Sequence, residues 1–193
     1  MRMAFSRSSL RGILSLVAAA AIAQASVAAQ PVPGHAAVNS KRLLAADSEP
    51  GVWMSYGRTY SEQRFSPLAR INNDNVGQLG LSWSFDLNTK RGIEATSVVV
   101  DGVMYTTSSW SIVHALDART GKHLWTYDPA VAKDKSRHAC CDVVNRGVAV
   151  WQGQVFAGVL DGRLVALEAA TGKVNWSVAT VDPELPYTCL LYT

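Results

Sequence analysis

The chain has 193 residues, of which 48% are hydrophobic and 17% are charged, a balance typical of a globular protein with an apolar core and not of a disordered chain. The formal net charge is only +3, and the Lys and Arg residues are scattered instead of forming the block that follows a phosphate backbone. We therefore expect no nucleic acid as a partner.

Residues 1–29 carry the three parts of a secretory signal peptide. Three arginines precede an apolar run from Ile13 to Ala23, and small residues follow it. Because this run is shorter than the ~20 residues needed to cross a bilayer, we predict a cleaved leader and no stable membrane span. Cleavage after Ala29 is favoured, cleavage after Ala25 is the alternative, and the expected location is the periplasm.

Residues 30–47 are rich in alanine, contain Pro31, Pro33 and Gly34, and are predicted to form an N-terminal arm. From residue 48 to residue 188, short apolar alternations are separated by turn residues, which is typical of β-strands. No long stretch with a 3.6-residue period follows the leader, so we predict an all-β fold.

Two Asp-Gly pairs predict hairpin turns. Asp101-Gly102 lies between two β-rich runs, and this pair supplies the positive φ angles of a type I′ turn. Asp161-Gly162 is expected to form the same turn between the runs 155–159 and 164–167.

A repeat organises the chain. The segment from Ala115 to Trp125 matches the segment from Ala166 to Trp176, including a central Thr-Gly-Lys, at an offset of 51 residues. A unit of about 50 residues with four short strands has the size of one β-propeller blade. In this reading the alanine packs beneath a neighbouring strand, Thr-Gly forms the turn between the outer strands, and the tryptophan covers the seam between blades. The alternative is a β-meander with coincidental tryptophan spacing.

The end of the chain breaks this pattern. We predict that residues 189–193, which begin at Cys189, are a non-native tail. A propeller closes with at least four blades, whereas the native mature chain has room for about three. We therefore expect an N-terminal fragment of a larger propeller, holding only its first, incomplete blades.

Cys140 and Cys141 are adjacent. Consecutive Cα atoms lie about 3.8 Å apart, below the usual disulfide range of about 4.4 to 6.8 Å, so a disulfide between them would be strained. Strained disulfides are labile or functional more often than structural, and an exported protein meets an oxidising environment. The alternative is two reduced or separately buried thiols.

The context of these cysteines carries a family resemblance. The segments Cys140-Cys141-Asp142-Val143-Val144-Asn145-Arg146-Gly147, Arg91-Gly92-Ile93-Glu94-Ala95-Thr96 and Trp53 to Leu68 resemble the pyrroloquinoline quinone (PQQ)-dependent alcohol dehydrogenases. In that family, eight blades form the propeller and a vicinal disulfide stacks on one face of the quinone. The resemblance covers residues 53–188.

The resemblance implies four cofactor-binding residues. Cys140 and Cys141 match the stacking disulfide, Glu94 matches a glutamate that hydrogen-bonds the cofactor, and Arg146 matches an arginine that binds a cofactor carboxylate. A planar guanidinium suits a tricarboxylate such as PQQ, because it donates two parallel hydrogen bonds. The alternatives are a solvated acid for Glu94 and a surface arginine for Arg146.

The implied reaction is oxidation of a primary alcohol to an aldehyde, with PQQ as the acceptor, Ca²⁺ as a Lewis acid and an aspartate as the base. We expect the calcium ligands and the aspartate in later blades, so no metal ligand is assigned here and the fragment is expected to be inactive. The sequence motifs resemble those of the quinohaemoprotein ethanol dehydrogenases more than those of methanol dehydrogenase. This resemblance is compatible with a haem c domain and implies cytochrome c or another periplasmic electron acceptor.

Two alternative functions remain. A PQQ-dependent sugar or polyol dehydrogenase would differ chiefly in substrate and would lack the vicinal cysteines. A non-catalytic propeller scaffold of outer-membrane assembly would share the repeat, but it would carry a lipid-attachment cysteine after the leader.

Overall fold

A computed structural model describes residues 35–182, and this part of the chain is nearly all-β. The signal peptide predicted at 1–29 and the tail predicted at 189–193 lie outside the described residues. The strands are β1 (Val98–Val100), β2 (Val103–Thr107), β3 (Val113–Asp117), β4 (His123–Tyr127), β5 (Ala149–Trp151), β6 (Gln154–Gly158), β7 (Arg163–Glu168) and β8 (Val174–Ala179). The helices are α1 (Ser40–Leu44) and short 3-10 helices at Ala46–Ser48, Val76–Gln78, Ser109–Ser111 and Lys133–His138.

The strands form two four-stranded antiparallel sheets, β1-β2-β3-β4 and β5-β6-β7-β8. The two sheets share one internal register, because Ala115 pairs with Trp125 in the first and Ala166 pairs with Trp176 in the second. The pairing also shifts immediately after each of these alanines. The sheets are therefore two copies of one unit, and the predicted partial propeller is confirmed.

The first strand of each sheet turns tightly into the second. Asp101 and Gly102 have φ angles of 51° and 80°, as a type I′ turn requires, so this hairpin prediction is confirmed. The equivalent turn of the second sheet is Gln152-Gly153, with φ angles of 45° and 78°.

The prediction of a type I′ turn at Asp161-Gly162 is wrong. These residues do join β6 to β7, but of the two only Gly162 has a positive φ angle, of 88°. The connection spans residues 159–162, and the Gly162 N–H donates to the Val159 carbonyl at 2.9 Å. A type I′ turn joins two strands through two residues with positive φ angles. In this four-residue loop, only the last residue, Gly162, has a positive φ angle.

A continuous apolar core lies within and between the sheets. Tyr105, Val113, Val155 and Leu167 are fully buried and lie on β2, β3, β6 and β7. Each buried aliphatic side chain of this size contributes about 1.5 to 3 kcal/mol. Burial on this scale makes the sheets a stable support for the loops that precede them.

Tryptophans connect successive units. Trp125 is 7% exposed, and its Nε1 donates to the Ala169 carbonyl of the second unit at 3.0 Å. Its ring lies against Gly172, where an added Cβ would stand 2.6 Å from the nearest ring atom. The predicted seam role is therefore confirmed for Trp125.

Trp83 repeats this arrangement one unit earlier. A Cβ added at Gly121 would stand 2.5 Å from the Trp83 ring. Sequence reasoning missed Trp83, because it precedes Trp125 by 42 residues and so falls outside the 51-residue period. Trp176 occupies the same strand position as Trp125 but is 41% exposed.

The described part of the predicted arm packs on the sheets. Val38 is fully buried, and its carbonyl accepts a hydrogen bond from Gln152 N–H at 2.9 Å. Arg42 binds Asp101 of the β1–β2 turn through two nitrogens and Glu49 through two more hydrogen bonds. Within residues 35–182, no helix combines the length and the apolarity that a membrane span needs.

His114 of β3 is buried and hydrogen-bonded within the first sheet. It is 7% exposed, and its two ring nitrogens lie 3.1 Å from Ser108 Oγ and 3.1 Å from Thr126 Oγ1. Burial, assisted by the neighbouring His123, lowers the pKa of His114 below its usual 6.5. The ring is therefore held in its neutral form.

Candidate functional site

Two loops that precede the first strands of their sheets lie side by side. The first site loop (residues 91–96) leads into β1, and the second site loop (residues 140–147) leads into β5. Thr96 forms a parallel bridge with Gly147, and the Thr96 N–H donates to the Arg146 carbonyl at 3.2 Å. Thr96 and Gly147 are 51 residues apart, so equivalent positions of consecutive units meet here.

Gly147 is required by this close approach. Its φ angle is 120°, a conformation that L side chains rarely adopt. A Cβ at this position would also stand 2.7 Å from the Thr96 carbonyl oxygen. The glycine therefore lets the second site loop approach the backbone of the first.

The loops exchange two ion pairs. Arg146 Nη2 of the second loop lies 3.2 Å from Glu94 Oε2 of the first, and Arg91 Nη1 of the first lies 2.5 Å from Asp142 Oδ1 of the second. The structure therefore brings together Glu94 and Arg146, two of the predicted binding residues. The side chains of this pair are 40% and 55% exposed, so solvent screens it and it contributes little to stability. Its effect is to orient the guanidinium at the surface of the site.

Cys140 and Cys141 begin the second site loop, and both are exposed thiols. Their sulfur atoms lie 2.8 Å apart, so the predicted disulfide is not formed in this structure and stays a prediction. The hydrogen bond from Cys140, and then its charge, raise the pKa of Cys141 above the usual value of a thiol. A reduced Cys141 is therefore a weak nucleophile at neutral pH.

Sequence reasoning missed Asn145, the residue before Arg146. Its Nδ2 donates to Ser111 Oγ at 3.0 Å and to the Gly158 carbonyl at 2.8 Å, while its Oδ1 accepts from Gly147 N–H at 3.0 Å. The only sequence signal for Asn145 was its position between the cysteine pair and Arg146. Its hydrogen-bond partners Ser111 and Gly158 are distant in sequence, so that position did not predict these contacts.

The described residues suggest no metal site. Among residues 35–182, no group of three or more His, Cys, Asp or Glu side chains is arranged to hold a metal ion. The Glu94 carboxylate is paired with the Arg146 guanidinium. We therefore assign no metal ligand in this part of the chain.

Repeated four-stranded units, sealed by a tryptophan of one unit on the Thr-Gly turn of the next, define a β-propeller. The two site loops meet between successive units of that propeller. Residues 53–182 match the family model described as "PQQ: Glucose/ethanol/alcohol dehydrogenase, beta-propeller domain". The chain belongs to this family.

Similar proteins support this membership. The chain is 54% identical over 175 residues, 90% of its length, to "Quinohemoprotein alcohol dehydrogenase ADH-IIG" of Pseudomonas putida. It is 59% identical over 139 residues, 72% of its length, to "1-butanol dehydrogenase (cytochrome c)" of Thauera butanivorans. The solved structure of ADHIIG from Pseudomonas putida HK5 matches 79% of the chain with a TM-score of 0.77 and 59% identity.

The chain is much shorter than these proteins. It spans 24% of the Pseudomonas putida relative, 20% of the Thauera butanivorans relative and 22% of the solved structure. The similarity therefore covers only about a fifth to a quarter of each of these longer proteins.

Proposed function

We propose that the chain is part of an exported, PQQ-dependent dehydrogenase that oxidises primary alcohols to aldehydes. The meeting of Glu94, Arg146 and the cysteine pair on adjacent loops carries this proposal. The names of the relatives support the substrate class, because they describe alcohol and 1-butanol dehydrogenases. The predicted leader supports a periplasmic location.

The residues present fit PQQ by their chemistry. Arg146 is half-exposed and contacts Glu94 through one terminal nitrogen, so the guanidinium presents further N–H donors to a carboxylate. Cys140 and Cys141 expose neighbouring sulfur atoms that suit contact with a flat ring. A planar, carboxylate-bearing ligand therefore matches both kinds of group.

The residues of this chain bind and orient, and the reactive group comes from the cofactor. When bound, PQQ supplies an electrophilic carbonyl that accepts two electrons from the alcohol. Arg146 would bind a cofactor carboxylate, and Glu94 would hold the guanidinium and offer a hydrogen-bond acceptor. The cysteine pair would cover one ring face and exclude water from it.

We place the remaining parts of the reaction outside residues 35–182. A calcium ion needs several oxygen ligands, and residues 35–182 hold no group of three or more His, Cys, Asp or Glu side chains that could bind one. We therefore propose that the calcium ligands and the aspartate base belong to other parts of the enzyme. The name "1-butanol dehydrogenase (cytochrome c)" supports a cytochrome c acceptor, and the name "quinohemoprotein" supports a haem c group.

Reconstitution tests this function. The full-length protein, produced without PQQ, is supplied with PQQ and Ca²⁺, and dye reduction is followed with ethanol, 1-butanol or glucose. We expect turnover with the alcohols and a large loss in Arg146→Ala, whereas Arg119→Ala, which removes an exposed arginine from an outer turn, should retain the rate. Turnover with glucose and with neither alcohol would favour a sugar dehydrogenase, and absence of PQQ binding would favour a scaffold.

The same assay applied to residues 1–193 tests the predicted inactivity of this piece. We expect neither tight PQQ binding nor alcohol oxidation, because the chain provides one covering face and no metal cluster among its described residues. Turnover by this piece would show that other parts of the enzyme are dispensable.

A further inference from the structure

The β2–β3 connection is strained beside the second site loop. Trp110 and Ser111 have consecutive positive φ angles of 65° and 59°, although neither is glycine. A non-glycine residue in this conformation is unfavourable and persists only where its surroundings determine it. The surroundings here include the site loop, since the Trp110 N–H donates to the Val143 carbonyl at 2.8 Å.

This conformation places the Ser111 hydroxyl between the two sheets. Ser111 is fully buried, and its Oγ accepts hydrogen bonds from Asn145 Nδ2 and from Leu160 N–H, each at 3.0 Å. The strained loop of the first sheet thus provides a fixed acceptor for the amide of the second site loop.

Asn145 uses both of its amide N–H groups in these contacts. One contacts Ser111 of the first sheet and the other contacts Gly158 of the second, while Oδ1 accepts from Gly147 of its own loop. The Asn145 carbonyl also lies 3.4 Å from Thr107 Oγ1. One side chain therefore fixes the loop to both units at the residue that precedes Arg146.

We propose that Asn145 is a positioning residue for Arg146. It holds the backbone at 145–147 in one conformation, so that the Arg146 guanidinium meets the cofactor carboxylate without a cost of ordering the loop. This inference rests on the proposed function, because its ligand is PQQ. Asn145 acts through Arg146 and does not itself contact the reacting atoms.

A double-mutant cycle on PQQ affinity tests the proposal. Asn145→Ala, Arg146→Ala and the double variant are made in the full-length protein. The dissociation constant for PQQ is measured by equilibrium dialysis, and the unfolding midpoint is measured without PQQ. Asn175→Ala is the matched control. Asn175 lies on the exposed strand β8, away from the site loops, and its Nδ2 lies 3.4 Å from Gln154 Oε1.

We expect each single variant to weaken PQQ binding about tenfold, the effect of losing one to two kcal/mol of hydrogen bonding. The double variant should bind no more than about threefold more weakly than Arg146→Ala, because Asn145 acts through Arg146. Asn175→Ala should bind like the wild type. A lower unfolding midpoint by itself would not produce this non-additivity.

Folded Asn145→Ala with unchanged PQQ affinity would overturn the inference, and so would additive effects that multiply to about a hundredfold. If Asn145→Ala does not fold, Ser111→Ala removes only the hydroxyl acceptor and is judged by the same cycle. A wild-type protein that does not bind PQQ would overturn the proposed function and this inference together. PQQ binding that depends on Arg146 and not on Asn145 would overturn the inference alone.

Discussion

Gly172 offers a direct test of how the units are joined. Its φ angle is 73°, and a Cβ added there would stand 2.6 Å from the Trp125 ring. In Gly172→Ala, the strained backbone costs about 1 kcal/mol. Displacing the ring also weakens its packing and the bond from Nε1 to the Ala169 carbonyl, which adds about 2 kcal/mol. We expect the free energy of unfolding to fall by about 3 kcal/mol.

Gly102→Ala is the matched control. Gly102 has a φ angle of 80°, but a Cβ added there would meet nothing within 4 Å. It should lose only the backbone cost of about 1 kcal/mol. Urea unfolding of the full-length protein, followed by tryptophan fluorescence, compares the two variants.

The double variant Trp125→Leu, Gly172→Ala completes this test. Once the ring is gone, Gly172→Ala should cost no more than the Gly102→Ala control, because only the backbone strain remains. Equal losses for the two single glycine variants would show that the ring does not seal the seam. Additive losses in the double variant would lead to the same conclusion.

Three further predictions concern other parts of the chain. Burial lowers the pKa of His114 in the folded protein, so as the pH falls the unfolded chain protonates this histidine first. The neutral His114 should therefore contribute its full stability above a pH of about 6.5, and the free energy of unfolding should decline below it. Urea unfolding of His114→Gln should lack this part of the pH dependence. Replacing Cys140 and Cys141 together by serine should weaken PQQ binding measured by equilibrium dialysis, and unchanged affinity would remove the pair from the site. Intact mass of the exported protein should show Gln30 as its first residue, and retention of residues 1–29 would refute the cleaved leader.

The repeat made most of the described fold predictable from sequence. Matching segments with Thr-Gly turns carry their structure locally, so the offset of 51 residues alone indicated two equivalent sheets. The turn at Asp161-Gly162 was mistaken because the dipeptide specifies a turn only after the loop length is known. Loop length depends on where the strands stop pairing, which is a tertiary property.

The family resemblance predicted candidate site residues, but it did not predict the contacts that hold their loops. Glu94, Arg146 and the cysteine pair followed from the family resemblance, and the structure places Glu94 beside Arg146. Asn145 was missed because its Ser111 and Gly158 partners lie 34 and 13 residues away. Such contacts exist only after both sheets have formed, so no local pattern reveals them.

The direction of the tryptophan contacts bears on how the protein is synthesised. Trp83 covers the turn at Gly121, and Trp125 covers the turn at Gly172, so each ring reaches forward along the chain. On the ribosome, each unit therefore emerges with an indole that has no cover until most of the next unit has been translated. The two site loops can meet only after Gly147 has left the exit tunnel. A chaperone that binds exposed aromatic side chains would consequently find one uncovered tryptophan at a time. Trp83 would be its first binding site and Trp125 its next, as translation proceeds.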